Sequence, residues 1–203
     1  MKFNSDQHHR RSIRLKGYDY TQQGAYFVTI VTHARECLFG AIQNGAMQSN
    51  DKGNAVAECW NALPRHFRHV ELDVFVMMPN HLHGILVFVW DAVDWRWDET
   101  NRRGEALTDT GATTERAVNV NASPLPRGTQ SRSLNAVIQN FKSVSTRKLN
   151  QMRDSRGAAV WQRNYYEHII RNERDLERIR AYIVNNPAAW SDDAENPARV
   201  NKN

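Results

Sequence analysis

Two histidines one residue apart, His81 and His83, lie in the run Val76-Met77-Met78-Pro79-Asn80-His81-Leu82-His83-Gly84-Ile85-Leu86-Val87-Phe88. Apolar stretches on both sides read as strands, and Pro79-Asn80 reads as the turn between them. Residues two apart on a strand point to the same face. The two imidazoles then project side by side, and Leu82 turns the other way into a core. Such a pair is either a two-ligand metal site or two polar residues on the wet face of a half-buried strand. A second pairing lies near the C-terminal end, in Ala181-Tyr182-Ile183-Val184-Asn185-Asn186-Pro187. Tyr182 and Asn186 are four apart and share a helix face. A phenol and an amide placed so could address one site. They could equally be a half-buried tyrosine and a helix-ending asparagine.

The elements that would position these groups are legible along the chain. Residues 25–32 form a strand rich in β-branched and aromatic side chains. Residues 51–63 read as a helix with Val56, Cys59, Trp60 and Leu63 as its apolar stripe. Strands follow at 70–78 and 82–89. A second helix spans 133–152, capped by Ser133, with Leu134, Val137, Ile138, Phe141, Val144 and Leu149 on its stripe. A short extended segment covers 160–161 and 166–170. Asn172 caps a third helix whose first turn carries Glu173 and Asp175. Leu176, Ile179 and Ile183 face its core, and Pro187 limits it near Asn185 or Asn186. This order suggests an α+β domain, an antiparallel sheet of ferredoxin-like (split β-α-β) arrangement with helices on one face.

The domain is expected to span 17–190. Residues 1–16 read as a flexible basic arm and 191–203 as a polar tail. Residues 91–132 read as a disordered insertion rich in Asp, Thr, Asn, Arg and Gly, with Trp95 and Trp97 as its exceptions. With 203 residues the chain can bury one sizeable core. Its net charge of +5 and pI near 9.4 suit a polyanionic partner, nucleic acid above all. Arg171, Arg174 and Arg178 share a face of the third helix, while Lys142, Arg147 and Lys148 lie on or beside one side of the second. These could track phosphates, or form solvated faces paired with Glu173, Asp175 and Glu177. Cys37 and Cys59 form no Cys-x-x-Cys motif, which points to a reducing compartment and to small core residues. No secretory signal and no stretch long enough to span a membrane is evident, so the expected location is cytoplasmic, at the nucleoid in a bacterium.

Taken together, these words resemble the REP-associated tyrosine transposases, a branch of the HUH single-strand transposases named for a His-hydrophobe-His motif. The resemblance runs from Gly17-Tyr18-Asp19-Tyr20 and Gly24-Ala25-Tyr26-Phe27-Val28-Thr29 through Met78-Pro79-Asn80-His81-Leu82-His83-Gly84 and Phe141-Lys142-Ser143. It continues in Trp161-Gln162-Arg163-Asn164-Tyr165-Tyr166-Glu167-His168 and ends at Tyr182-Ile183-Val184-Asn185-Asn186-Pro187. Residues 91–132 match nothing in it. The resemblance implies binding and cutting of single-stranded DNA, often with a hairpin, without ATP. It maps the nucleophile to Tyr182 and the divalent-cation ligands to His81, His83 and Asn186. Mixed imidazole and oxygen donors favour Mn²⁺ or Mg²⁺. The resemblance implies a metal-dependent endonuclease and strand transferase acting through a 5′-phosphotyrosine. The alternative is a non-catalytic nucleic-acid-binding module of the same fold. Whether Tyr182 serves its own chain or a homodimer partner stays open.

Overall fold

The computed structural model describes residues 18–89 and 130–200; the expected basic arm, and all but the last three residues of the expected insertion, lie outside them. The elements are β1 (Gly24–Val31), β2 (Gly40–Gln43), β3 (Ala46–Ser49), α1 (Asp51–Asn61), α2 (Leu63–His66), β4 (Val70–Met77), β5 (His81–Phe88), α3 (Leu134–Met152), β6 (Tyr166–Ile170), α4 (Glu173–Asn185) and α5 (Pro197–Val200). Short 3₁₀ turns occupy His33–Arg35 and Trp190–Asp192. No helix among the described residues is long and apolar enough to cross a membrane.

Four strands make one antiparallel sheet in the order β4-β5-β1-β6. Its centre is β1, where Tyr26, Val28 and Ile30 alternate with Phe27 and Thr29, so the two sets leave opposite faces. The first set joins Leu82, Leu86 and Phe88 of β5 in the main core, beneath α1 and α3. Those helices contribute Val56 and Trp60, and Leu134, Val137, Ile138 and Phe141. Both are capped as polar N-terminal residues allow. Asn50 accepts from the backbone N–H of Lys52 and Gly53, and Ser133 from that of Ala136. The connectivity β1-α1-β4-β5-α3-β6, with both crossover helices on one face, is the expected ferredoxin-like unit.

The remaining helix departs from the expectation of helices on one face. Leu176, Ile179 and Ile183 of α4 pack on Phe27, Ile85 and Ile170, on the opposite side of the sheet. The reason lies in β5: Leu82 points to the main core, so His81 and His83 point away from it. A helix delivering Tyr182 to them must cross that second face. A β-bulge between Leu72 and Phe75 helps seat it. Asp73 lies within the bulge, and its carboxylate accepts from Arg180 of α4 at 2.6 Å.

Two further differences from the sequence reading are local. A hairpin, β2-β3, turns at Asn44-Gly45, both with positive φ (51° and 74°), as an Asn-Gly hairpin turn requires. Cys59 is half-buried against the core, but Cys37 is exposed and fills no space there.

Candidate active site

His81 and His83 begin β5 and are 0% and 3% exposed. Each ring is held from behind. Nδ1 of His81 lies 2.8 Å from Oδ1 of Asn80, and Nδ1 of His83 lies 2.8 Å from the hydroxyl of Thr29, its register partner on β1. Phe27 stacks on the His83 ring at 5.5 Å. The two Nε2 atoms consequently converge, 2.9 Å apart. Fixing the outer nitrogen of an imidazole in this way orients the inner one for a ligand.

A third donor comes from a segment that sequence reasoning assigned to the polar tail. Past α4 the chain folds back, and the carboxylate of Asp193 lies 3.7 Å and 4.0 Å from the two Nε2 atoms. Asp193 is buried, and with His81 and His83 it forms a cluster able to hold a metal ion. No spacing rule ties Asp193 to the histidines. The only sequence signal was Trp190, an aromatic residue just before the acidic run, and its ring lies 6.0 Å from that of His81.

Tyr182, on the last turn of α4, is 46% exposed, and its hydroxyl lies 3.3 Å from Nε2 of His83. Asn186, one turn on at the helix C-cap, is buried, and its Oδ1 has no hydrogen-bond partner. A buried, unpaired amide oxygen is costly unless something occupies its lone pairs. Two imidazoles and one carboxylate converge closely enough to hold a divalent cation, and the orphaned amide oxygen of Asn186 lies one helical turn past Tyr182. The two Nε2 atoms, 2.9 Å apart, would both be in reach of one such ion.

The electrostatics agree. Burial, reinforced by the neighbouring His83, holds the His81 imidazolium well below the usual histidine range, so the ring stays neutral; Asp193 opposes this only in part. Burial would raise the Asp193 carboxyl, but the His83 hydrogen bond, the Glu195 backbone N–H and the two imidazoles outweigh it, leaving it ionised. The Tyr182 phenol is raised by burial and by Asp193, against a lowering hydrogen bond from Asn186. It is protonated at neutral pH.

Beside Tyr182 opens a cleft of about 380 Å³, lined among others by Phe27, Tyr166, His168 and Arg178. Of the adjacent tyrosines, Tyr166 faces this cleft and is exposed, while Tyr165 packs on the main core under Lys142. His168 pairs with Asp175 at 2.8 Å, and Arg178 with the same carboxylate at 2.6 Å. Glu167 points to the other face.

The basic residues divide. Arg171, Arg174 and Arg178 are all exposed, and Arg178 reaches the cleft. Lys142, Arg147 and Lys148 ride on α3, across the sheet from the histidines. Lys142 donates to the carbonyls of Gln162 and Asn164, and burial lowers its ammonium to about 8. That lysine braces a loop instead of facing open solvent. Lys148 is paired with Glu58 at 2.5 Å.

Comparison with known proteins bears on part of this geometry. The profile described as "Transposase IS200 like" matches residues 127–186, which include Tyr182 and Asn186. An uncharacterized protein of Haemophilus influenzae (strain ATCC 51907 / DSM 11121 / KW20 / Rd) is 41% identical over 195 residues, covering 95% of this chain and 96% of its own. The solved structure of a REP-associated tyrosine transposase bound to a REP hairpin overlays with a TM-score of 0.53 at 16% identity, covering 88% of this chain and 74% of that one. Residues 127–186 thus match the IS200-like transposase family, and the chain has the fold of the REP-associated tyrosine transposase.

Proposed function

We propose that the protein cuts and rejoins single-stranded DNA, with Tyr182 as nucleophile and a divalent cation, Mn²⁺ or Mg²⁺, held by His81, His83, Asp193 and Asn186. The observation that carries this reading is the 3.3 Å approach of the Tyr182 hydroxyl to His83, within a buried cluster of donors. The phenolic oxygen attacks phosphorus, the bond from phosphorus to the 3′-oxygen breaks, and the phenol's proton is lost as the leaving oxygen gains one. The product is a 5′-phosphotyrosine and a free 3′-hydroxyl. The new ester keeps the free energy of the phosphodiester, so an incoming 3′-hydroxyl can reverse the step and join strands. A bound cation supplies charge stabilisation at the phosphate oxygens. The chain's residues orient the phenol over the cluster, and Tyr166 offers an exposed ring on which a neighbouring base can stack.

All these groups come from one chain, which supports a site completed in cis. Hairpin-forming repeats are the proposed substrate, in keeping with the hairpin held by the structural neighbour. The test is incubation of the protein with labelled single-stranded hairpin oligonucleotides and Mn²⁺ or Mg²⁺. A covalent protein–DNA adduct is the expected result. Binding without cleavage or adduct under either metal would favour a non-catalytic binding module. Hydrolysis without an adduct would mean that water attacks in place of Tyr182.

A further inference from the structure

Asn80 is fully buried, and each of its side-chain atoms has an assigned task. Its Nδ2 donates to the carbonyl of Arg35 at 3.1 Å and to that of Glu195 at 2.7 Å. Carbonyls only accept, so these two contacts fix which end of the amide is nitrogen. The other end, Oδ1, is an acceptor and faces Nδ1 of His81 at 2.8 Å. Nδ1 of His81 must therefore carry the proton. A neutral imidazole protonated there presents an open lone pair at Nε2. That Nε2 is the atom 2.9 Å from His83 and 3.7 Å from Asp193.

The carbonyl held by Asn80 belongs to the segment that delivers Asp193. The N–H of Glu195 donates to Oδ1 of Asp193 at 2.6 Å, leaving Oδ2 aimed at the histidines. Arg35, whose carbonyl Asn80 also holds, donates through Nε to the Glu195 carboxylate at 2.8 Å. One side chain thus bonds His81 directly and also holds the segment that carries Asp193, which approaches from a distant part of the chain.

We infer that Asn80 is the positioning residue of the metal site: it sets the tautomer that frees Nε2 of His81 and latches the 193–195 segment that brings in Asp193. The inference rests on the proposed metal site and adds what assembles it. Outer contacts of this kind are worth 10–100-fold in metal affinity.

The test combines ¹⁵N imidazole NMR with Mn²⁺ titration by calorimetry. In the metal-free wild type, His81 should appear as the Nδ1–H tautomer, a readout that needs neither a variant nor a metal. Asn80→Ala should lose that preference and bind Mn²⁺ about 10–100-fold more weakly. Asn80→Asp keeps an acceptor for His81 but loses the donor to Glu195. It should keep the tautomer while still weakening Mn²⁺. Combining Asn80→Ala with Asp193→Ala should cost less than the product of the two single losses, because the first change already frees Asp193. Finding His81 protonated at Nε2, or wild-type Mn²⁺ affinity in Asn80→Ala, would overturn the inference while leaving the proposed function standing. A wild type with the Nδ1–H tautomer but no Mn²⁺ binding would overturn both.

Discussion

The hydroxyl of Tyr182 lies 3.3 Å from Nε2 of His83, although 99 residues separate them in sequence. Two structural decisions produce this approach. Leu82 enters the main core, turning both histidines to the other face of the sheet. Ile179 and Ile183 bind α4 to that same face, which presents Tyr182 one helical step away. The ring of Phe27 braces both, 5.5 Å from His83 and 6.0 Å from Tyr182.

The first prediction concerns the donor set. His81→Ala and His83→Ala should each abolish cleavage while most single-strand affinity persists, because phosphate contacts elsewhere supply it. Asp193→Asn should weaken Mn²⁺ binding by tenfold or more, on the order of 1.4 kcal/mol. Calorimetric titration reads the metal, and gel assays read cleavage. Cleavage by the double-histidine variant in chelator, or wild-type metal affinity in Asp193→Asn, would remove those residues from the site.

The buried neutral state of His81 has a pH consequence. Its folded-state pKa is depressed below the ordinary 6.5. As pH falls through 6.5, the unfolded chain takes up a proton that the folded one refuses, so the metal-free protein loses stability. Above that pH the residue contributes no dependence. The slope for one proton approaches about 1.4 kcal/mol per pH unit. Urea midpoints measured from pH 8 to pH 5 should fall below pH 6.5, and His81→Gln should flatten that fall. Equal slopes in both proteins would contradict the assignment.

Gly84, which follows the second histidine, has a packing role. A Cβ there would lie 2.5 Å from Cζ2 of Trp60 and 3.1 Å from Cβ of Phe75. Gly84→Ala should cost about 1–3 kcal/mol by overpacking, read as a lowered urea midpoint. Unchanged stability would show that Trp60 can yield.

Much of this was legible in sequence, for physical reasons. Strict alternation around His81-Leu82-His83 fixes sidedness, and Asn172 with its acidic first turn marks the start of α4. The hairpin β2-β3 escaped notice because its strands are four residues long and half exposed, too short for alternation to register, although Asn44-Gly45 signalled the turn. Asp193 is not legible because its place depends on the tertiary contacts that Glu195, two residues on, makes with Asn80 and Arg35, which no local spacing encodes. The opposed face of α4 was implicit in Leu82: once that residue is inside, the tyrosine helix must lie across the sheet.

The arginines of α4 give a graded test. Replacing Arg171, Arg174 and Arg178 with Gln should reduce the slope of log affinity against log salt by roughly 0.7 for each single-strand phosphate that an arginine no longer neutralises. Arg178 should contribute, since it reaches the cleft beside Tyr182. An unchanged slope would mean that all three form a solvated face.

The central claim is that Tyr182 becomes covalently joined to DNA. Tyr182→Phe keeps the ring against Phe27 and removes only the attacking oxygen, so the fold should persist while cleavage and adduct vanish. Tyr165→Phe and Tyr166→Phe should retain adduct formation. The direct measurement is mass spectrometry of the adduct trapped from wild-type protein, hairpin oligonucleotide and Mn²⁺. The nucleotide should be found on the peptide containing Ala181-Tyr182-Ile183; finding it on Tyr165 or Tyr166, or finding no adduct with either metal, would contradict the account.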